Sequence, residues 1–168
     1  MFEKGDAVVC PAHGAGIVKG FSELKPLEGV QRYYQIELLK QVNTQVMIPV
    51  DSAEEQGVRL ALTDDELEKV WEVLGSEPKS LPDKHRTRYK VINDKFNSGD
   101  IVQLGEAIRD MAWRRRERDG LTKKARRIYR RGVTLLAGEV AVAQGVKLTT
   151  AKARIRAKLR KYLSNGDD

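Results

Sequence analysis

The sequence predicts an α+β protein in which a small antiparallel β barrel or strongly bent sheet precedes an all-α helical bundle. Two observations carry this. Up to about Val58 the chain reads as short strands, and from Thr63 onward its apolar residues recur at helical spacing. The charge divides at the same place. Residues 1–57 hold five basic and eight acidic side chains, a net of −3, whereas residues 58–168 hold 26 and 16, a net of +10, which together give the chain's +7. The expected division is therefore a β domain over residues 1–58 and a helical domain over residues 59–168, each with a modest core.

The strands are expected in "DAVVCP", "AGIVKGF", "YYQIELL" and "TQVMIPV", which are rich in β-branched and aromatic residues and bounded by Gly, Pro or polar clusters. "PAHGAG" (Pro11–Gly16) reads as a turn, with Gly14 and Gly16 supplying unusual φ values or close backbone approach. "LEGVQR" (Leu27–Arg32) reads as a hairpin tip. Thr63 and Glu66 make a capping box for a helix with Leu67, Val70, Trp71 and Leu74 on one face. A connector with two prolines, Gly75–Lys84, leads to a helix that ends at Ser98-Gly99. Asp100 caps the next helix, Gly120 ends it, and Thr122 caps a third through Ile128, Val133, Leu136 and Val140. Thr149 or Thr150 is expected to cap the last, whose apolar stripe is Ile155, Leu159, Tyr162 and Leu163.

Composition excludes several functions. Cys10 is the single cysteine, so neither a disulfide framework nor a thiolate metal cage is available. The N-terminus lacks a secretory pattern and no run of about 18 apolar residues occurs, so a soluble intracellular protein is expected. His13 reads as a turn residue, and neither it nor His85 has a Cys or carboxylate at ligand spacing. The glycines follow neither a P-loop nor a dinucleotide fingerprint. Asp64, Asp65, Glu66 and Glu68 suit a helix start rather than a metal site. No enzyme activity, cofactor, metal or small-molecule ligand is expected, and the chain is expected to be a monomer.

The stretch "WRRRERDGLTKKARRIYRRG" (Trp113–Gly132) holds ten basic residues against two acids, and residues 111–161 carry 17 against three. Lys123, Lys124, Arg127, Arg130 and Arg131 line a stripe without acidic partners; Lys152, Arg156 and Arg160 form a further row. Like charges four apart on a helix cost about 0.2–0.5 kcal/mol per pair, so a self-repelling arrangement suits a polyanion. Nucleic acid is the favoured partner; a solvated face and an anionic lipid surface compete, although neither helix has the bulky aromatic face of an interfacial anchor. Arginine's planar fork suits phosphates, which carry no sequence information. "EVAVAQGVKLTTAKARIRAKL" (Glu139–Leu159) has the look of a helix-turn-helix, but its later apolar register slips at Arg154 and Ile155, so two packed helices are favoured over a recognition helix.

Three segments in order, "FEKGDAVVCPAHGAGIV", "VMIPVDSAEEQGVR" and "SGDIVQLGEAIRDMAWRRRERDGLT" with "LLAGEVAVA" following, together resemble the CarD/CdnL family of bacterial transcription regulators. The resemblance implies a Tudor- or SH3-like β domain, similar to the polymerase-binding module of transcription-repair coupling factor, that docks on the RNA polymerase β subunit. It also implies a helical domain on promoter DNA at the upstream edge of the melted bubble, stabilising the open complex in a bacterial cytoplasm, associated with the nucleoid. The polymerase-contacting strand maps by position onto Val46, Met47, Ile48 and Pro49, with Tyr34 and Lys25 as further candidates. Alternation makes Val46 and Ile48 core positions and leaves Met47 exposed.

The DNA side departs from the family pattern. Many members place a tryptophan wedge where this chain has His85 in "KHRTRYK", and an imidazole offers less apolar area to insert between bases. Arg86, Arg88 and Lys90 beside it, with Lys123, Arg126, Arg127 and Arg130, are the expected DNA contacts, largely sequence-nonspecific and directed to phosphates and the minor groove. The departure puts the strength of activation in question, and its direction at a given promoter. The rival reading is a stand-alone, sequence-nonspecific DNA- or RNA-binding architectural protein whose β domain only adds stability.

Overall fold

A computed structural model of the chain describes residues 1–10, 12–25, 29–39 and 43–163. Pro11 of the expected turn and Leu27 and Glu28 of the expected hairpin tip lie outside the described residues. The fold is α+β; among the described residues a five-stranded antiparallel sheet is followed by five α-helices. Two compact units make up the chain: Met1–Thr63 with Gly138–Leu148, and Asp64–Ala137 with the residues from Thr149 onward.

In the first unit, β1 (Ala7–Cys10), β2 (Gly14–Leu24), β3 (Gln31–Leu38), β4 (Gln45–Pro49) and β5 (Arg59–Leu60) pair in the order β4-β3-β2-β1-β5. The first four fall where β-branched and aromatic alternation places them; β5, two residues long, is too short to show any period. β4 and β5 form the sheet's edges. Gly14 has φ +103, the left-handed conformation that turns the chain from β1 into β2. Gly16 serves differently: a Cβ there would lie 2.5 Å from the Glu37 carbonyl oxygen, so the residue is small to let β3 approach. A bulge between Val18 and Gly20 bends β2 across β3.

The core of this unit gathers Val8, Val18, Ile36 and Ile48 around Tyr34. The Tyr34 ring has Phe2 and Phe21 each with centroids 5.4 Å away, and its hydroxyl oxygen accepts the Phe2 N–H at 3.0 Å. A buried tyrosine needs a partner for its oxygen, and here the N-terminal backbone supplies it. Gly138 lies against the Ala15 methyl, and the buried Glu139 carboxylate ion-pairs with Arg59 of β5.

The second unit contains α1 (Asp64–Gly75), α2 (His85–Asn97), α3 (Ile101–Glu117), most of α4 (Lys123–Gln144) and α5 (Leu148–Leu159). α1 buries Leu67, Val70 and Leu74, with Trp71 half-buried beside them. The Asp100 carboxylate accepts the Val102 N–H at 2.8 Å and the Thr122 hydroxyl accepts the Ala125 N–H at 3.2 Å, so both expected caps are formed. α5 begins at Leu148, which places Thr149 and Thr150 inside its first turn rather than at the cap. The reason lies in the preceding turn: Gly145, at φ +61, ends α4 with its N–H on the Val142 carbonyl and the Val146 N–H on that of Ala141. Only Gly145–Lys147 then separate the two helices.

The proline-containing connector is fixed by polar groups from α3 and the chain's last turn. Arg109 and Asp110, both buried, ion-pair at 2.8 Å. Arg109 donates to the Ser76 hydroxyl at 2.7 Å, Asp110 accepts the Lys79 N–H at 2.8 Å, and the Tyr162 hydroxyl donates to the Ser76 carbonyl at 2.7 Å.

Candidate protein- and nucleic-acid-binding faces

Register decides which side chains of the sheet reach solvent. β3 and β4 pair Tyr33 with Pro49, Tyr34 with Ile48, Gln35 with Met47 and Ile36 with Val46. Because successive side chains alternate faces, Tyr34, Ile48, Ile36 and Val46 share the core side. Tyr33, Pro49, Gln35 and Met47 share the other. Met47 is 44% exposed, whereas Ile48 is 3% and Tyr34 1% exposed. Tyr34 and Ile48, both named above as polymerase-contact candidates, are therefore packing residues whose side chains cannot reach a partner. Val46 is half-buried against the core and Pro49 half-buried on the outward face. Lys25, just past the end of β2, is exposed. Tyr33 and Gln35 are outward residues that sequence reasoning passed over, although the alternation of Tyr34, Ile36 and Leu38 with Tyr33, Gln35 and Glu37 marks which tyrosine points in.

The outer face of β4 is also an edge. β4 has β3 on one side and no strand on the other among the described residues. An edge offers backbone donors and acceptors to an added strand, and Met is a polarizable, adaptable contact residue.

In the second unit, two helix starts carry basic residues where acids are usual. α1 follows the ordinary rule for a helix N-terminus, with Asp64, Asp65 and Glu66 in its first turn. α2 and α4 have no acid there. α2 opens with His85 and Arg86, and its flanking Lys84 makes no side-chain cap. α4 opens with Lys123, Lys124, Arg126 and Arg127, all exposed, with Arg130 and Arg131 a turn further on. Cations at the positive end of the helix dipole lose free energy, so both ends favour an anion. The opposite face of α4 is apolar, burying Ala125, Tyr129, Val133, Leu136 and Val140, so the basic stripe is held outward by the core. Burial raises the pKa of the Tyr129 hydroxyl, and Arg115 and Arg156 partly oppose that.

His85, Arg86, Lys90, Lys123, Arg126, Arg127 and Arg130 are exposed, as a DNA face requires. Arg88 is different. It is half-buried, and its Nη1 donates to the carbonyls of Pro82 at 2.8 Å and Asp83 at 2.7 Å, so it ties the connector to α2. Arg114 and Arg118, which sequence reading treated only as part of a basic run, converge on the Asp83 carboxylate at 3.5 and 2.7 Å.

Among the described residues no group of three or more metal-ligating side chains occurs, and no helix is long and apolar enough to cross a membrane. The family described as "CarD-like/TRCF RID domain" matches residues 2–60, and that described as "CarD, C-terminal domain" matches residues 69–156. A Bacillus subtilis (strain 168) protein named "Putative transcription factor YdeB" is 30% identical over 148 residues, covering 87% of this chain and 94% of that protein. The chain belongs to the CarD family of transcription regulators.

Proposed function

We propose that this regulator binds the RNA polymerase β subunit through the β4 face of residues 1–58 and promoter DNA through the basic helices of residues 59–168. By doing so it modulates the stability of the open complex at the upstream edge of the bubble, without catalysing a reaction. The observation that carries the reading is the run of exposed cations at the start of α4, unmatched by any acid in the first turn, in a chain whose other half is net negative. Met47 and Pro49 on the edge strand β4, with Tyr33 of β3 beside them, are the protein-contacting patch; Lys25 lies on the same unit. Arg86, Lys90, Lys123, Arg126, Arg127 and Arg130 contact phosphates, and His85 stands at the fork. The protein acts as a monomer in the bacterial cytoplasm.

The test is retention of RNA polymerase by immobilised protein. Met47→Glu places a charge on an exposed position and leaves the core intact, so the variant is expected to fold normally and lose retention at least tenfold. Unchanged retention would refute the β4 face and favour a stand-alone DNA- or RNA-binding protein, the reading in which the sheet unit serves only stability.

A further inference from the structure

We infer that the cleft between α2, the end of α3 and the start of α4 is a nucleotide site that receives one unpaired nucleotide of a melted strand. Its base enters the cleft and its phosphate rests on the arginine rim. The inference rests on the DNA-binding reading above. The cleft measures about 800 Å³ and lies wholly within the second unit. Its lining has two chemistries. Leu81, Ile92, Met111 and Ala125 are apolar and buried, and Tyr89 stands half-buried in the wall. Arg88, Arg114, Arg118 and Arg126 are set against only Asp83 and Asp119. A free phosphate has no use for the apolar lining, and an aliphatic ligand has none for four guanidinium groups. A planar heterocycle carrying a phosphate uses both.

The aromatic wall is held in place from two sides. The Tyr89 hydroxyl is 3.4 Å from the Thr122 hydroxyl, which itself caps α4, and Lys124 Nζ lies 4.5 Å from the ring centroid. Lys124 does not line the cleft, so its ammonium packs on the ring from outside and leaves the cleft side of Tyr89 to a base. Arg118 and Arg114 are already oriented by Asp83, so they need little ordering when an anion arrives. A base inside a duplex has its faces stacked and its edge paired, so only an unpaired nucleotide can enter. Aromatic stacking accepts any base, which makes the site indifferent to sequence and selective for melted DNA.

The experiment uses the full chain and forked DNA whose single strand carries an abasic nucleotide at successive positions. One position is expected at which losing the base weakens binding by about tenfold, the scale of a lost aromatic stack, while neighbouring positions do not. Tyr89→Phe is expected to keep that dip. Tyr89→Leu, which preserves apolar packing, is expected to abolish it and bind the intact fork as the wild type binds the abasic one. Deoxyadenosine monophosphate is titrated in parallel. Its saturable binding, lost in Tyr89→Leu and accompanied by no abasic dependence, would assign the cleft to a free nucleotide and overturn the strand as its source. Equal binding at every abasic position, with Tyr89→Leu matching the wild type, overturns the cleft site while leaving DNA binding intact. No binding of the wild type to any fork in dilute buffer overturns both readings.

Discussion

His85 combines an exposed position, the first turn of α2 and a ring that can stack or donate to a minor-groove acceptor. A larger indole there offers more apolar area to a base step than an imidazole does. Open-complex lifetime on a promoter measures this directly. His85→Ala is expected to shorten the lifetime and His85→Trp to lengthen it by several-fold; if His85→Ala changes nothing, the histidine is not at the fork. Asp110 presents the contrasting case of a residue whose role is internal. It neutralises Arg109 where both are buried and accepts the Lys79 N–H, so Asp110→Ala leaves a buried guanidinium without its counter-charge. Removing one member of a buried pair costs about 3–5 kcal/mol, and the shift is read as a lowered denaturant midpoint with an unchanged slope. At this scale the sequence showed which side chains carried charge but not which were free. Arg88, Arg114 and Arg118 look alike in basic runs, and their carbonyl and carboxylate partners in the connector are set by packing.

Between elements, the pair Lys95–Glu106 ties α2 to α3 at 2.7 Å. The hydrogen bond from Lys95 holds the Glu106 carboxyl below its ordinary 4.5, outweighing the opposing effect of burial. The folded state therefore favours the carboxylate, and the contribution is present above pH 4.5 and lost as pH falls through the folded-state pKa. Glu106→Gln is expected to lower stability by a constant amount at neutral pH. The difference from wild type should shrink below pH 4.5, as followed by urea denaturation across pH. Local chemistry made most elements legible. Capping by Asp100 and Thr122 depends on a side chain and an amide two or three residues away, and the alternation of β1 to β4 is internal to each strand. The inward turn of Tyr34 rather than Tyr33 belongs to the same alternation, because Tyr34 shares its face with Ile36 and Leu38. The Arg59–Glu139 pair joins residues 80 apart in sequence and leaves no local trace.

At the level of the whole molecule, the proposed function assigns a protein partner to the β4 strand and phosphates to the basic helices, which would divide the work of affinity and action. Under the proposed function, anchoring one unit to the polymerase would raise the effective concentration of the other near the fork, so weak and unspecific DNA affinity would suffice. On that proposal, any contact made in the melted state but not in the closed one would shift the equilibrium between them. The two faces must respond differently to salt. DNA binding that neutralises about five phosphates should weaken with a log–log slope of about −4 to −5, because each neutralised phosphate releases condensed counterions. Retention of polymerase through Met47 and its neighbours should change little over the same range. Replacing Arg127 and Arg130 together by Glu reverses two exposed charges of α4 and is expected to reduce that slope by about 2 while leaving polymerase retention intact. On a promoter the same variant should lose its effect on open-complex lifetime even when fully bound to polymerase. A variant that keeps the full effect would separate the basic face from the regulatory act, because the anchor alone would then suffice.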